Sequence, residues 1–180
     1  ILIYPILWII SILPFPIFYL FSDFICFLTY NIIGYRKKVV RANIKLALPH
    51  LSDKERLAIE KKFYSHMCDM FLEMIKTITI SQKEIEKHFT FSNMEVYYEL
   101  EKKNKSIALM CAHYASYEWV ISMNYYIHCK GFGIYKKLSN PYFDKLVKRI
   151  RSKFKAELIT TKQTIPTIAE NHKNVSAEKY

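Results

Sequence analysis

His113 and Glu118 are the residues best placed, by type and spacing, to do chemistry. They lie in Ile107–Trp119, IALMCAHYASYEW, where an apolar run of strand length, Ile107–Ala112, delivers the histidine and the acid follows after four intervening residues. On one continuous helix, side chains five residues apart point about 140° away from each other. With His113 at a strand end or in a loop and Glu118 in the first helical turn, the chain folds back and the carboxylate can reach the imidazole. The helix N-terminus also favours the negative charge. Such a pair supports general-base catalysis. A neutral imidazole takes a proton from a hydroxyl or amine, while the carboxylate holds its tautomer and stabilises the imidazolium that forms. A histidine near a glutamate is more often an ordinary pair, so the rest of the chain has to decide.

His113, Tyr114, Glu118 and Trp119 resemble the His-x4-Asp/Glu box of the lipid A biosynthesis (late) acyltransferases, within the broader glycerolipid acyltransferase group. Upstream, Tyr35–Lys76 is similar to that family's basic start, its Asn-x-x-x-Ala/Phe-Pro segment and its long helix ending in a Glu. Downstream, Ile134–Phe154 is similar to its Tyr-Arg-x-x-x-Asn-Pro-x-x-Asp segment followed by an Arg. Two positions depart from the pattern. Ala115-Ser116-Tyr117 stands where the family usually has Gly-Asn-Trp, and Lys136 stands where it usually has Arg. Neither change removes the base or its orienting acid.

The resemblance implies a reaction and a cast of residues. His113 would be the base and Glu118 its orienter, with an acyl thioester on acyl carrier protein as donor and a hydroxyl of a lipid A precursor as acceptor. The developing oxyanion needs positive charge or amide donors. Arg151, which matches the family's Arg, is the first candidate, Lys136 the second, and Asn140 sits with them as a substrate-binding or oxyanion-binding residue. Cys111, two residues before His113 on the expected strand, is not needed as a nucleophile. No cofactor and no metal are expected. Members of the family usually continue with further strands and a Gly-rich segment, so the chain reads as C-terminally truncated.

Composition agrees with a membrane partner. The 180 residues are 51% hydrophobic and 24% charged with three Gly, which is neither disordered nor fibrous. A net charge of +11 calls for an acidic partner, meaning anionic lipid, an acidic carrier protein or nucleic acid. Nucleic acid is disfavoured by what precedes the first charge cluster. Ile1–Ile33 is almost wholly apolar, with Asp23 its one charge, and is long enough to cross a bilayer. It has no basic start or small-residue cleavage site of the kind a signal peptide needs. Pro14 and Pro16 should bend or interrupt it, giving one bent span or a re-entrant hairpin. Arg36, Lys37, Lys38 and Arg41 follow, which places the flank, and the domain behind it, on the cytoplasmic side; the resemblance implies that the membrane is a bacterial inner membrane. The four cysteines, Cys26, Cys68, Cys111 and Cys129, lie far apart without metal-ligand or disulfide spacing and read as reduced core residues.

The positioning elements follow from local signals. Arg36–Leu48 reads as a helix along the membrane surface, with Val40, Ile44, Ala47 and Leu48 on one side and the basic residues on the other. Ser52 and Glu55 form a capping box that opens a second helix, whose Phe63, Met67, Met70, Phe71, Met74, Ile75 and Ile78 read as a core-facing stripe. Ser81 caps a short helix, Phe89–Phe91 reads as a short strand, and Asn93 as the cap of a helix through Leu100. Beyond the central motif, a helix should run to about Cys129 and Gly131 should mark a turn. Phe132–Lys136 is then a strand, and Asn140 with Pro141 starts the helix Tyr142–Phe154. Ala156–Thr160 is a last strand. The expected fold class is α/β: an N-terminal membrane anchor (1–34), then a glycerolipid-acyltransferase-like domain (35–180) with a mostly parallel sheet, incomplete at its C-terminus. Two other functions fit the same features, an acyltransferase acting on a glycerolipid or aminolipid, and a catalytically inactive membrane-anchored fragment that binds anionic lipid or carrier protein.

Overall fold

The computed structural model describes residues 3–103 and 106–177. They form two compact units, one from the chain up to Thr79 with His113–Ser116, the other from Ile80–Ala112 and from Tyr117 onward.

The first unit is helical. α1 (Ile3–Ile12) breaks at Leu13 because Pro14 and Pro16 cannot donate backbone hydrogen bonds, and α2 (Phe15–Phe27) restarts beyond them. α2 runs on into a π-helical turn, Leu28–Ile33, which Gly34 closes with φ of 66°. Phe15–Ile33 is long and apolar enough to cross a membrane, and 11% of its most apolar stretch is buried, unlike the core helix of a soluble domain. After Gly34 come α3 (Lys37–Ala47) and the long α4 (Asp53–Lys76). The expected capping box is present: the Glu55 amide donates to Ser52 Oγ (3.3 Å) and the Ser52 amide donates back to Glu55 Oε2 (2.8 Å).

α1, α2 and α3 all pack on α4, but not on the stripe expected to do it. Phe63 and Phe71 are exposed, and the buried residues of α4 are Glu60, Tyr64, Cys68, Leu72, Glu73 and Lys76. The reason lies in the partner helices, whose inward face carries hydroxyls. Tyr19 donates to Glu73 Oε1 (2.8 Å) and Tyr30 to Glu60 Oε1 (3.0 Å). At the proline break, Ser11 O accepts from Lys76 Nζ (2.9 Å) and Thr79 Oγ1 (2.6 Å), and Leu13 O accepts from Lys76 as well. Buried polar groups must pair, so the face with the carboxylates and the lysine turns inward.

The second unit holds α5 (Gln82–His88), capped by Ser81, and α6 (Met94–Lys102). Asn93 precedes α6 in the left-handed region (φ 56°) and its side chain makes no cap bond, contrary to expectation. Phe89–Phe91 is not a strand; the Phe89 and Phe91 rings pack edge-on (5.3 Å between centroids), and Phe91 packs edge-on with Tyr126 (5.7 Å). Ile107–Ala112 likewise joins no sheet and is mostly exposed. A strand exists only where a neighbour accepts its backbone bonds, and the described sheet is β1 (Phe132–Tyr135) paired in parallel with β2 (Glu157–Thr160), Phe132 opposite Glu157 and Tyr135 opposite Thr160. The fold is therefore helix-rich with a small two-stranded parallel sheet, narrower than the expected mostly parallel layer. α7 (Pro141–Arg151), followed by a short 3₁₀ turn, makes the crossover, and α8 (Thr164–Ala177) follows β2.

The helix expected to reach Cys129 is a 3₁₀ helix, Tyr117–Tyr125. Asn124 donates its side-chain amide to Ile121 O three residues back (2.7 Å), a local bond of the kind that competes with α-helical pairing. At Gly131 a Cβ would meet the Asn124 side chain, which would have to turn away and give up its bond to Ile121. Trp119, Met123, Tyr135, Ile150, Phe154 and Ile159 are the buried centre of this unit. Among the cysteines Cys68 is buried and Cys26 half-buried, whereas Cys111 and Cys129 are exposed, two of them thus failing the core assignment.

Candidate functional site

Glu118 lies in the first turn of the 3₁₀ helix, next to Trp119, which is 2% exposed and fixes that turn against the unit's centre. Across from it stands Arg151, the last residue of α7, where a cation also suits the helix C-terminus. The two form a bidentate pair: Arg151 Nε donates to Glu118 Oε2 (2.8 Å) and Nη2 donates to Oε1. Their side chains are 26% and 8% exposed, so the carboxylate is shielded and the guanidinium partly so. The Glu118 hydrogen bond pushes the Arg151 guanidinium pKa further up. Burial first, and then the Glu118 charge, pushes the neighbouring Tyr117 phenol up. Two of Arg151's five N–H donors are used here.

His113 sits in the turn His113–Ser116, exposed like its neighbour Tyr114, and is grouped with α1–α4, whereas Glu118 belongs to the other unit. Ala115, between them, adopts φ of 49°. That left-handed conformation favours glycine, the residue the resembled family usually carries at this position.

Lys136 and Asn140 lie in the loop after β1. Lys136 is exposed. Asn140 is the N-cap of α7: its Oδ1 accepts from the Tyr142 amide (3.0 Å) and the Phe143 amide (3.3 Å), as the Asn-Pro start requires. Asp144, one turn into α7, reaches back to accept from the Leu138 amide (3.0 Å) and, with Oδ2, from the Tyr135 hydroxyl (3.5 Å). The Leu138 hydrogen bond, helped by the Lys148 charge, holds its carboxyl below the usual aspartate range. Asp144 therefore ties the Lys136–Asn140 loop to α7. Of the five candidate residues, then, the structure joins Glu118 to Arg151, and places Lys136 and Asn140 on a loop that Asp144 clamps. That clamp, and the Tyr117 and Trp119 neighbours of the acid, were not assigned roles from sequence; the Asp three positions after Pro141 was the available signal. Among the described residues no His, Cys, Asp or Glu cluster could hold a metal ion.

Comparison with known proteins identifies the family. The family model described as "Bacterial lipid A biosynthesis acyltransferase" matches residues 1–176. The lipid A biosynthesis lauroyltransferase of Escherichia coli (strain K12) is 23% identical over 141 residues, 78% of this chain. The chain spans less than half, 46%, of that protein's length. No solved structure matches. A match over nearly the whole chain, with the acid of the box locked to the Arg that follows the Asn-Pro-x-x-Asp segment, leads to one assignment: the chain belongs to the bacterial lipid A biosynthesis acyltransferase family.

Proposed function

We propose that this chain carries the acyl-transfer chemistry of its family, with residues 1–34 as a membrane anchor and 35–180 as the acyltransferase portion. The donor is an acyl thioester on acyl carrier protein, and the acceptor is a hydroxyl of a lipid A precursor at the cytoplasmic face of the inner membrane. His113 takes the hydroxyl proton as the oxygen attacks the thioester carbonyl; the tetrahedral intermediate then expels the thiolate, and the imidazolium returns the proton to it. No covalent enzyme intermediate forms. Glu118 orients and charge-stabilises the imidazole, and Arg151 holds that carboxylate while its remaining N–H groups face the developing oxyanion. Lys136 and Asn140 stand as the second source of positive charge and polar contact, on the loop that Asp144 secures.

The observation that carries the reading is the bidentate Glu118–Arg151 pair inside a chain that matches the family over residues 1–176. The test is transfer of labelled acyl groups from acyl carrier protein to a lipid A precursor in membranes, for the chain and for His113→Ala. Loss of a general base should cost about 10²- to 10⁴-fold in rate. Full activity in His113→Ala, or no transfer by a chain that still partitions into membranes, would overturn the proposal.

A further inference from the structure

Helix α3 has two apolar stripes, and α4 covers one of them. Lys37, Val40, Ile44 and Leu48 are half-buried where α3 packs on α4. On a helical wheel of about 100° per residue, Val39, Ala42 and Leu46 fall on the opposite side. Leu46 is 83% exposed and Val39 44%. Of the Val40, Ile44, Ala47 and Leu48 side expected for a helix lying along the membrane, Val40, Ile44 and Leu48 are thus occupied within the protein, and Ala47 is exposed.

The cations of this region divide in the same way. Arg41 donates to Glu60 from Nε (2.8 Å) and Nη2 (3.2 Å), and Lys37 Nζ sits 3.8 Å over the Tyr30 ring, so both hold α3 to its own unit. Lys38 and Lys45, one above the other at seven-residue spacing, run along the edge of the outward apolar stripe and are exposed, as is Arg36. The end of the apolar helix leads directly into this face: Ile32, Ile33 and Tyr35 are exposed, and the turn through Gly34 and Arg36 is pinned where Tyr64 donates to Tyr35 O.

We infer that the Val39–Ala42–Leu46 face of α3 is a second membrane contact, seated in the headgroup region of an anionic bilayer, with Lys38, Lys45 and Arg36 engaging lipid phosphates. This rests on the reading that Phe15–Ile33 enters that bilayer. Charge complementarity chooses the occupant: an apolar stripe edged by lysines fits an anionic interface, and α3 follows the exposed Ile32 and Ile33 at the end of the apolar helix by only a few residues. The contact fixes the tilt of α3, and of α4 packed on it, relative to the bilayer plane, which a single apolar helix alone leaves open.

The test places a photoreactive benzophenone side chain at position 46, and separately at exposed position 54, in the full chain reconstituted into phosphatidylcholine vesicles with and without 30% phosphatidylglycerol. Lipid adducts read by mass spectrometry should form from position 46 and not from 54. The position-46 yield should fall at least about fivefold without phosphatidylglycerol, and again in Lys38→Gln/Lys45→Gln, since each cation near an anionic surface is worth about a fivefold change. Absence of lipid adducts at 46 in a chain that still floats with vesicles would overturn the α3 contact while leaving the anchor in place. A yield indifferent to both phosphatidylglycerol and the lysines would overturn it equally, and a chain that does not float would remove the anchor reading along with it.

Discussion

Breaking the Glu118–Arg151 pair should destabilise the second unit by an amount that depends on which partner is removed. Unit charges about 3 Å apart attract by about 5 kcal/mol at an effective dielectric of about 20. Water reaches the 26%-exposed Arg151 and takes back part of that. Arg151→Ala strands a carboxylate that is 8% exposed, so the cost should sit at the low end of the range for broken buried pairs, about 3 kcal/mol. Arg151→Lys keeps the charge but loses the fork, at about 1 to 1.5 kcal/mol. Glu118→Gln leaves a guanidinium that can turn to water, at about 1.5 to 2 kcal/mol. Combining Glu118→Gln with Arg151→Ala closes a cycle whose coupling energy should be about 2 kcal/mol. Thermal unfolding of the detergent-solubilised chain, followed by the emission of Trp119 with Trp8→Phe as background, measures all four corners. A coupling below about 0.5 kcal/mol, the range of exposed ion pairs, would refute the argument that this carboxylate is locked in a shielded site.

Three other outcomes follow from single features. Asp144 has its carboxyl held down by the Leu138 amide, so it stabilises its loop at pH values above the unfolded aspartate value of about 3.9 and that contribution disappears as the pH falls through its lower folded value. The protection of the Leu138 amide relative to its intrinsic exchange rate should therefore fall on acidification below about pH 4 in the native chain, and already at neutral pH in Asp144→Ala; protection unaffected by that substitution would rule out the clamp. Ala115→Gly should raise stability by about 0.5 to 1 kcal/mol by relieving a left-handed alanine, read as a higher Tm, and a lower Tm would contradict the φ of 49°. Burial pushes the Cys68 thiol up to about 11, so maleimide at pH 7.5 should label Cys111 and Cys129 readily and reach Cys68 only after denaturation; prompt Cys68 labelling in the folded chain would count against the α2–α4 packing.

The sequence was most informative where a structure is set by neighbours along the chain. Ser52 with Glu55, Ser81, and Asn140 with Pro141 each start a helix where expected, because a cap needs only groups within three or four residues. β1 and β2 were legible from apolar runs flanking a helix. Ile107–Ala112 has the same composition, but a ladder partner is not written in the segment itself, and it joins no sheet. The face of α4 was misread for a related reason. Its Met and aromatic stripe has the stronger periodicity, yet the choice of face was made by the helices it meets. A second periodicity was there to find: Tyr19, Ser22, Cys26 and Tyr30 recur at three- and four-residue steps along an apolar helix, and Glu60, Tyr64 and Cys68 recur at four along α4. Of the candidate site, the acid and the Arg were legible as a pair of motif positions, while their direct contact required the crossover through α7.

The break at Pro14 also sets an order of events in biosynthesis. The carbonyls of Ser11 and Leu13 find their donors in Lys76 and Thr79, at sequence separations of 65, 63 and 68 residues. While the ribosome is still producing that intervening chain, the apolar segment is already out of the exit tunnel and those two oxygens have only solvent to bond. The first unit therefore closes last at this break, once α4 has been made to its C-terminal end, and until then the two carbonyls must keep their contact with water.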